Sequence, residues 1–400
     1  MKITGLITEY NPFHNGHLLH LEKSKEVTGA DYCVAVMSGT FVQRGAPAIY
    51  DKYLRTLMAL EAGVDLIIEL PAAFSTASAR EFASYGIALL SNIGADSVCF
   101  GSECGRMEPL KEMAALLYKE PEGFGEKIKT HMKSGMTFPQ ARNSAVTSFF
   151  QNEEKDLLTS PNNILAVEYC RAAMELDSHL SLYTIKREGS GYHDNSTEGT
   201  LVSASAIREL LADIPSPAAF ETMVPLHVEA LLRKEMPLFS NDFSSILNYR
   251  LWMGIDSDIA DMTPELAARI KNSGPAPCSF DDRIKSLKTR QITYTRISRV
   301  LLHLLLNIRK NDMDVFKAAG YAPYARILGF KMASSPLLTE LKKRTSVPLI
   351  TKLADAAALI PPAALSMLEQ EISAAHLFQT VRAEKGAAFK NEYTQPVVIL

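Results

Sequence analysis

Ile3-Thr4-Gly5-Leu6-Ile7-Thr8-Glu9-Tyr10-Asn11-Pro12-Phe13-His14-Asn15-Gly16-His17-Leu18-Leu19 is the stretch that decides the fold of this chain. Residues 3–7 form an apolar run that reads as a buried strand, and residues 16–27 follow it with helix-compatible spacing. Between them stand two histidines three residues apart, with Gly16 inside the pair. A strand-turn-helix of this kind aims both imidazoles and several unpaired backbone N–H groups at one place. The positive end of the helix dipole adds to them, so the place suits a polyphosphate. Gly16 carries no Cβ and lets a ligand come close to the backbone. Two surface histidines or a metal pair would leave the same short pattern. Its position at the end of a first strand favours a ligand site, because open parallel sheets bind ligands at the carboxyl ends of their strands. Zinc would want a third ligand and usually an HExxH-type carboxylate; Asn15 and Gly16 stand there instead, so no metal site is assigned.

The alternation continues outward. Residues 32–37 read as a second strand, 65–70 as a third, 97–100 as a fourth and 182–185 as a fifth. Helical segments at 49–62, 77–93 and 162–174 separate them, and Gly63 and Gly94 close the first two. Strands alternating with helices of this length imply parallel β-structure with right-handed crossovers, and continuous apolar strands imply a sheet covered on both faces. The expected fold class is α/β: a Rossmann-like parallel-sheet domain over residues 1–212, then a mainly helical domain over 213–400.

Bulk composition agrees. The 400 residues are 47% hydrophobic and 22% charged, ordinary for a two-domain globular protein. No apolar stretch approaches the roughly 20 residues of a membrane helix, and Met1-Lys2 leads into a strand rather than a secretory leader. The five cysteines lack CxxC pairing, which points to free thiols and a reducing cytoplasm. The net charge of −3 hides a basic island. Arg283, Lys285, Lys288, Arg290, Arg296, Arg299, Arg309 and Lys310 follow one another with no acidic residue among them.

Further candidates cluster at the same sheet edge. Ser38-Gly39-Thr40-Phe41-Val42-Gln43-Arg44-Gly45 follows the second strand, and its bracketing glycines suit a loop that carries Arg44 to a phosphate or carboxylate; a solvated arginine is the bland alternative. Lys52 and Arg55, on the next helix, read as surface charges. Gly101 closes the fourth strand, where a nucleoside sits or where the chain simply turns. Asn162 reads as a helix cap or a base contact, and Arg187, just after the fifth strand, as a cation for a base or a phosphate. Ser203-Ala204-Ser205-Ala206-Ile207-Arg208 opens another helix. There hydroxyls, N–H groups and Arg208 suit outer phosphates, although Ser203 serves equally as a plain cap.

The His14-Asn15-Gly16-His17 motif resembles the HxGH signature of nucleotidyltransferases. Residues 203–208 resemble that superfamily's second signature, ISSTxxR, with Ser205 in place of the commoner threonine. Residues 7–17, 39–45, 68–71, 160–166, 192–194 and 324–330 together resemble the bacterial tRNA(Met) cytidine acetate ligase family. The resemblance implies two steps. ATP and acetate give acetyl-adenylate and pyrophosphate; the wobble cytidine of elongator tRNA(Met) then takes the acetyl group, giving N4-acetylcytidine and AMP. It implies catalytic roles for His14, His17, Arg44 and Arg208. ATP contacts are expected from Ile7, Thr8, Glu9, Tyr10, Asn11, Pro12, Phe13, His14, Asn15, Gly16, His17, His20, Gly101, Asn162, Arg187, Ser203 and Ser205. Mg²⁺ is expected to arrive with ATP, and no obligate protein partner is evident. The basic island then reads as a tRNA surface of Arg283, Lys285, Lys288, Arg290, Arg296 and Arg299, with Lys342-Lys343-Arg344 as a smaller candidate. Two other readings stay open: a small-molecule adenylyltransferase, and a non-catalytic nucleotide- or RNA-binding protein.

Overall fold

The computed structural model describes residues 1–150, 157–187, 202–213, 222–274 and 276–400. Its strands run in chain order as β1 (Ile3–Thr8), β2 (Tyr32–Ser38), β3 (Phe41–Val42), β4 (Ala46–Pro47), β5 (Leu66–Leu70), β6 (Ser97–Ser102), β7 (Ser181–Lys186), β8 (Ala325–Phe330), β9 (Leu349–Ile350) and β10 (Val398–Ile399). One sheet has the order β10-β8-β5-β2-β1-β6-β7, with β9 beside β8, while β3 and β4 make a separate small hairpin. From β5 to β7 every pairing is parallel. Alternate residues serve opposite cores. Val34, Val36, Leu66 and Ile68 belong to one, and Cys33, Ala35, Met37 and Ile67 to the other. This two-sided burial is why the strands are apolar without interruption. The order reverses at β1, with β2 and β5 on one side and β6 and β7 on the other. The crevice at that reversal, outside the carboxyl ends, is where such a sheet binds ligands.

The α/β expectation holds, and every strand read from the first half is present. The expectation that strands fade after residue 212 is corrected by β8, β9 and β10. β8 runs antiparallel to β5 and extends the sheet, and β10 lies parallel beside β8. β8 is interrupted by Arg326 and Gly329, and β9 and β10 are two residues long, too short for any periodicity to show. All five cysteines are free thiols, with Cys33, Cys99 and Cys170 buried. Among the described residues no helix is long and apolar enough to cross a membrane.

Lys52 and Arg55, expected on the surface of their helix (Lys52–Glu61), are both buried. The Arg55 guanidinium donates to the carbonyls of Glu9, Ser38, Gly39 and Tyr50, tying together the ends of β1 and β2. Lys52 Nζ lies 2.5 Å from Glu69 Oε1, 2.6 Å from Glu392 Oε1 and 3.4 Å from Glu371 Oε1. Arg326 pairs with Glu69 at 2.9 Å and with Glu392 at 2.6 Å. Two buried cations thus face three buried carboxyls, and electroneutrality favours a proton on one of them. Burial first, and the neighbouring Glu69 second, push Glu371 up to about 8. Lys52 and Arg326 hold Glu392 down to about 2 against the opposing effect of burial.

A raised carboxyl stabilises the fold below its ordinary value of 4.5 and loses that contribution as pH climbs through about 8. Glu371→Gln keeps the shape and removes the titration. Its melting temperature relative to the unaltered chain is therefore expected to rise between about pH 5 and pH 8 and to level off above that. Parallel melting curves over that range would show a titrating group other than Glu371.

Candidate functional site

The turn after β1 builds its own geometry. His14 caps the helix Asn15–Thr28 and its Nδ1 accepts the Gly16 N–H at 3.0 Å. The His14 N–H in turn donates to His17 Nδ1 at 3.3 Å. The two rings lie 3.7 Å apart. A Cβ on Gly16 would stand 2.8 Å from the His14 ring, so glycine is what admits this stack. Burial first, then the charges of Arg187 and Arg208, push His14 down to about 3. Burial and His14 lower His17 well below its usual value, and burial with Arg187 takes His20 down to about 4. The rings are therefore neutral at neutral pH. Because each Nδ1 of His14 and His17 accepts a hydrogen bond, the ring proton sits on Nε2. The turn presents uncharged N–H donors, and the positive charge comes from neighbouring arginines and lysines.

Those neighbours share one cavity of about 430 Å³ with the turn. Arg44 reaches it from the β3–β4 turn, which is docked on both sides: the Gln43 N–H donates to Glu9 Oε1 at 2.9 Å, and Ser298 Oγ donates to the Gly45 carbonyl at 2.8 Å. Gly45 has φ 78° and lies against the Ser298–Arg299 backbone, where no Cβ fits. Ser203, Ser205 and Arg208 line the cavity from the helix Ala204–Asp213. Ser203 Oγ also accepts the Ala206 N–H, so capping and lining are one arrangement. Arg208 donates to the Asn11 carbonyl at 2.7 Å and to Ser205 Oγ at 3.0 Å, joining the second motif to the first. Gly101 and Arg187 line the cavity together, the Arg187 chain lying over Gly101. Asn162 lines it while its side chain and N–H donate to Glu103.

Ile7, Thr8, Glu9, Gly16 and His20 also line the cavity. Tyr10, Asn11, Pro12 and Phe13 are buried. Tyr10 and Phe13 pack 5.0 and 5.6 Å from the His17 ring, and Asn11 Oδ1 accepts the Ile49 N–H. Asn15 donates to the Thr222 carbonyl. These residues hold the turn rather than face the cavity. Tyr192, His193 and Asp194 lie outside the described residues.

The basic island divides. Arg283 is buried, its guanidinium spent on the Ala276 carbonyl, Ser273 and Asn248. Arg299 lines the cavity and pairs with Asp261 at 3.2 Å. Lys285, paired with Asp282, and Lys288 and Arg290 stand exposed, with Arg296 half-buried beside them. In the smaller cluster, Arg344 is bound to Asp96 and Glu340. The sequence reading missed Lys23, Gln43, Phe82, Tyr169, Lys186 and Thr295 as lining residues, and Glu103 as the holder of Asn162. Lys23 follows His17 and His20 at helical spacing and was findable. Phe82 and Thr295 come from helices whose placement no local pattern reveals. Among the described residues no three His, Cys, Asp or Glu side chains gather as a metal cluster.

Comparison with known proteins agrees with this geometry. The family model described as HIGH Nucleotidyl Transferase matches residues 1–392. A tRNA(Met) cytidine acetate ligase of Acetivibrio thermocellus is 37% identical, with the whole of both chains covered. One of a Thermoanaerobacter species is 40% identical over 88% of this chain and 89% of its own. Among solved structures, apo TmcAL of Thermotoga maritima superposes with a TM-score of 0.93 at 29% identity over the whole of both chains. The same protein bound with alpha-thio ATP gives 0.90.

Nitrogen-15 spectra of histidine-labelled protein at pH 6 are expected to show His14 and His17 as neutral Nε2–H tautomers. A protonated imidazolium at either position would contradict the hydrogen-bond assignment.

Proposed function

The chain belongs to the HIGH nucleotidyl transferase family, and we propose that it is an ATP-dependent ligase that acetylates the wobble cytidine of elongator tRNA(Met). The observation that carries this is the meeting of His14, His17 and Arg208 in one cavity at the carboxyl end of β1, in a chain that resembles tRNA(Met) cytidine acetate ligases over its full length.

In the first step a carboxylate oxygen of acetate attacks the α-phosphorus of ATP. The bond from that phosphorus to the bridging oxygen breaks, and pyrophosphate leaves with its electrons. In the second step the N4 amine of cytidine attacks the acetyl carbonyl, a proton is lost from nitrogen, and AMP departs. Negative charge grows on the α-phosphate oxygens in the first step. Fixed donors answer it without a protein nucleophile. In this reading His14 and His17 supply neutral Nε2–H donors, Arg187 and Arg208 supply charge at the phosphates, and Arg44 supplies it beside the attacking acid. Ser203, Ser205 and the N–H groups of their helix hold the outer phosphates. Gly101 and Asn162 border the nucleoside. Mg²⁺ accompanies the phosphates of ATP and contributes neutralising charge there.

Nucleotide chemistry then belongs mainly to residues 1–212. Residues 213–400 supply the tRNA surface, in the cytoplasm where the tRNA is. Lys285, Lys288, Arg290 and Arg296 meet phosphates, and Arg299 works inside the cavity instead. Arg283 leaves the set because its guanidinium is enclosed. A small-molecule adenylyltransferase would have no use for that exposed basic run.

Incubation with ATP, labelled acetate and elongator tRNA(Met) is expected to release pyrophosphate and place the label on N4 of the wobble cytidine. His17→Ala is expected to lower the rate about 10²–10³-fold. Pyrophosphate release without RNA labelling would leave adenylation and remove the tRNA assignment. Lys288→Ala and Arg290→Ala are expected to weaken tRNA binding and lower the salt slope by about one each, with ATP binding unchanged.

A further inference from the structure

The cavity straddles the carboxyl end of β1. On the β6–β7 side stand Gly101, Asn162 and Arg187, while the Ser203–Arg208 segment shares a core with Leu6, Tyr10 and Phe13 and Arg208 donates to the Asn11 carbonyl. On the other side the walls come from three elements that the sequence keeps far apart. The β3–β4 turn brings Gln43 and Arg44. The helix Ala79–Asn92 brings Ala79 and Phe82, and the helix Tyr294–Leu306 brings Arg299. Local contacts fix this second end. Gly86 lies against Ile7 of β1, so Phe82, one helical turn earlier on the same face, stands over the end of that strand beside Glu9. Glu9 holds the Gln43 N–H, and Gly45 holds Ser298 next to Arg299.

The chemistry of this end differs from the other. Two guanidinium groups face it, Arg44 and Arg299, the latter pinned by Asp261. Gln43 Nε2 is buried and has no acceptor among the described residues. Ala79 and the buried Phe82 bring apolar wall close to the strand end. We propose that this end seats the acid substrate: Gln43, Arg44 and Arg299 hold the carboxylate, and Phe82 and Ala79 limit its chain to about two carbons. The proposal rests on the adenylation reading above. It fits in-line displacement, in which the nucleophile must approach the α-phosphorus from the side opposite the departing pyrophosphate. In this proposal the outer phosphates lie at Ser203–Arg208 and the acid approaches from Gln43 and Arg44. A neutral amide beside two guanidiniums gives a carboxylate its hydrogen bonds without a metal-binding cluster.

The test is ATP–pyrophosphate exchange with formate, acetate, propionate and butyrate, tRNA present, comparing kcat/KM across acids. Phe82→Leu is expected to raise the propionate-to-acetate ratio about tenfold, the worth of a methylene in a fitted pocket. Ala79→Val, at a half-exposed position, is expected to lower that ratio and spare formate. Gln43→Leu is expected to raise KM for acetate with KM for ATP unchanged. If both wall variants scale all four acids alike, and Gln43→Leu moves both KM values together, the acid subsite is overturned while adenylation stands. If the unaltered chain exchanges with no acid, the adenylation reading falls and the subsite falls with it.

Discussion

Everything at the carboxyl edge of the sheet leans on one buried set of charges. Lys52 and Arg326 both reach Glu69 and Glu392, and Lys52 also reaches Glu371. Charges enclosed in this way forfeit their hydration, so each is tolerable only with its partners in place. Removing one partner leaves an uncompensated charge, typically a loss of about 3–5 kcal/mol. The partners come from the end of β5, the helix after the β3–β4 hairpin, the added strand β8, the long helix Pro362–Glu384 and the tail at Glu392. The network therefore ties the sheet to the C-terminal half.

The same network reaches the site. Thr40 Oγ1 donates to Glu371, and a Cβ on Gly39 would collide with Glu69 and Glu371. The loop that carries Gln43 and Arg44 thus starts from a floor of paired carboxyls, and Arg55 grips the carbonyls of Ser38, Gly39 and Glu9 from the other side. Arg55 and Lys52 act through position: neither lines the cavity, yet they hold the strand ends from which it is built. Within the cavity the division of labour is electrostatic. Histidines kept neutral by burial present N–H donors, and arginines carry the charge. Neutral donors also spare the site a further cluster of like charges.

Much of this was legible from residues alone. The strand-turn-helix at His14–His17, the parallel alternation through β7 and the grouping of Arg44, Arg187, Ser203, Ser205 and Arg208 at one edge all follow from local rules. Apolar runs, helix starts and strand ends each leave a mark a few residues wide. The misplaced residues share a different character. Lys52, Arg55 and Arg283 look like solvated cations because a charge signals burial only through partners elsewhere in the chain. Glu392, one partner of Lys52, lies 340 residues away. β8 escaped because its Arg326 belongs to that network, so its side chain breaks the apolar run that would have revealed the strand.

By itself the sequence determined the α/β class, the strand-turn-helix at His14–His17 and the chemical type of nearly every group beside it, since backbone propensity and helix-end chemistry act within a single turn of chain. Only the tertiary structure decided which cations are spent on the fold and which face a ligand. It also decided that Arg299 belongs to the cavity rather than to the outer surface, and that Phe82 and Ala79 wall one end of it. Those outcomes depend on the packing of helices Ala79–Asn92 and Tyr294–Leu306 against β1 and the hairpin, contacts between segments some two hundred residues apart. Burial and pairing are properties of such contacts, so no local stretch of residues can carry them.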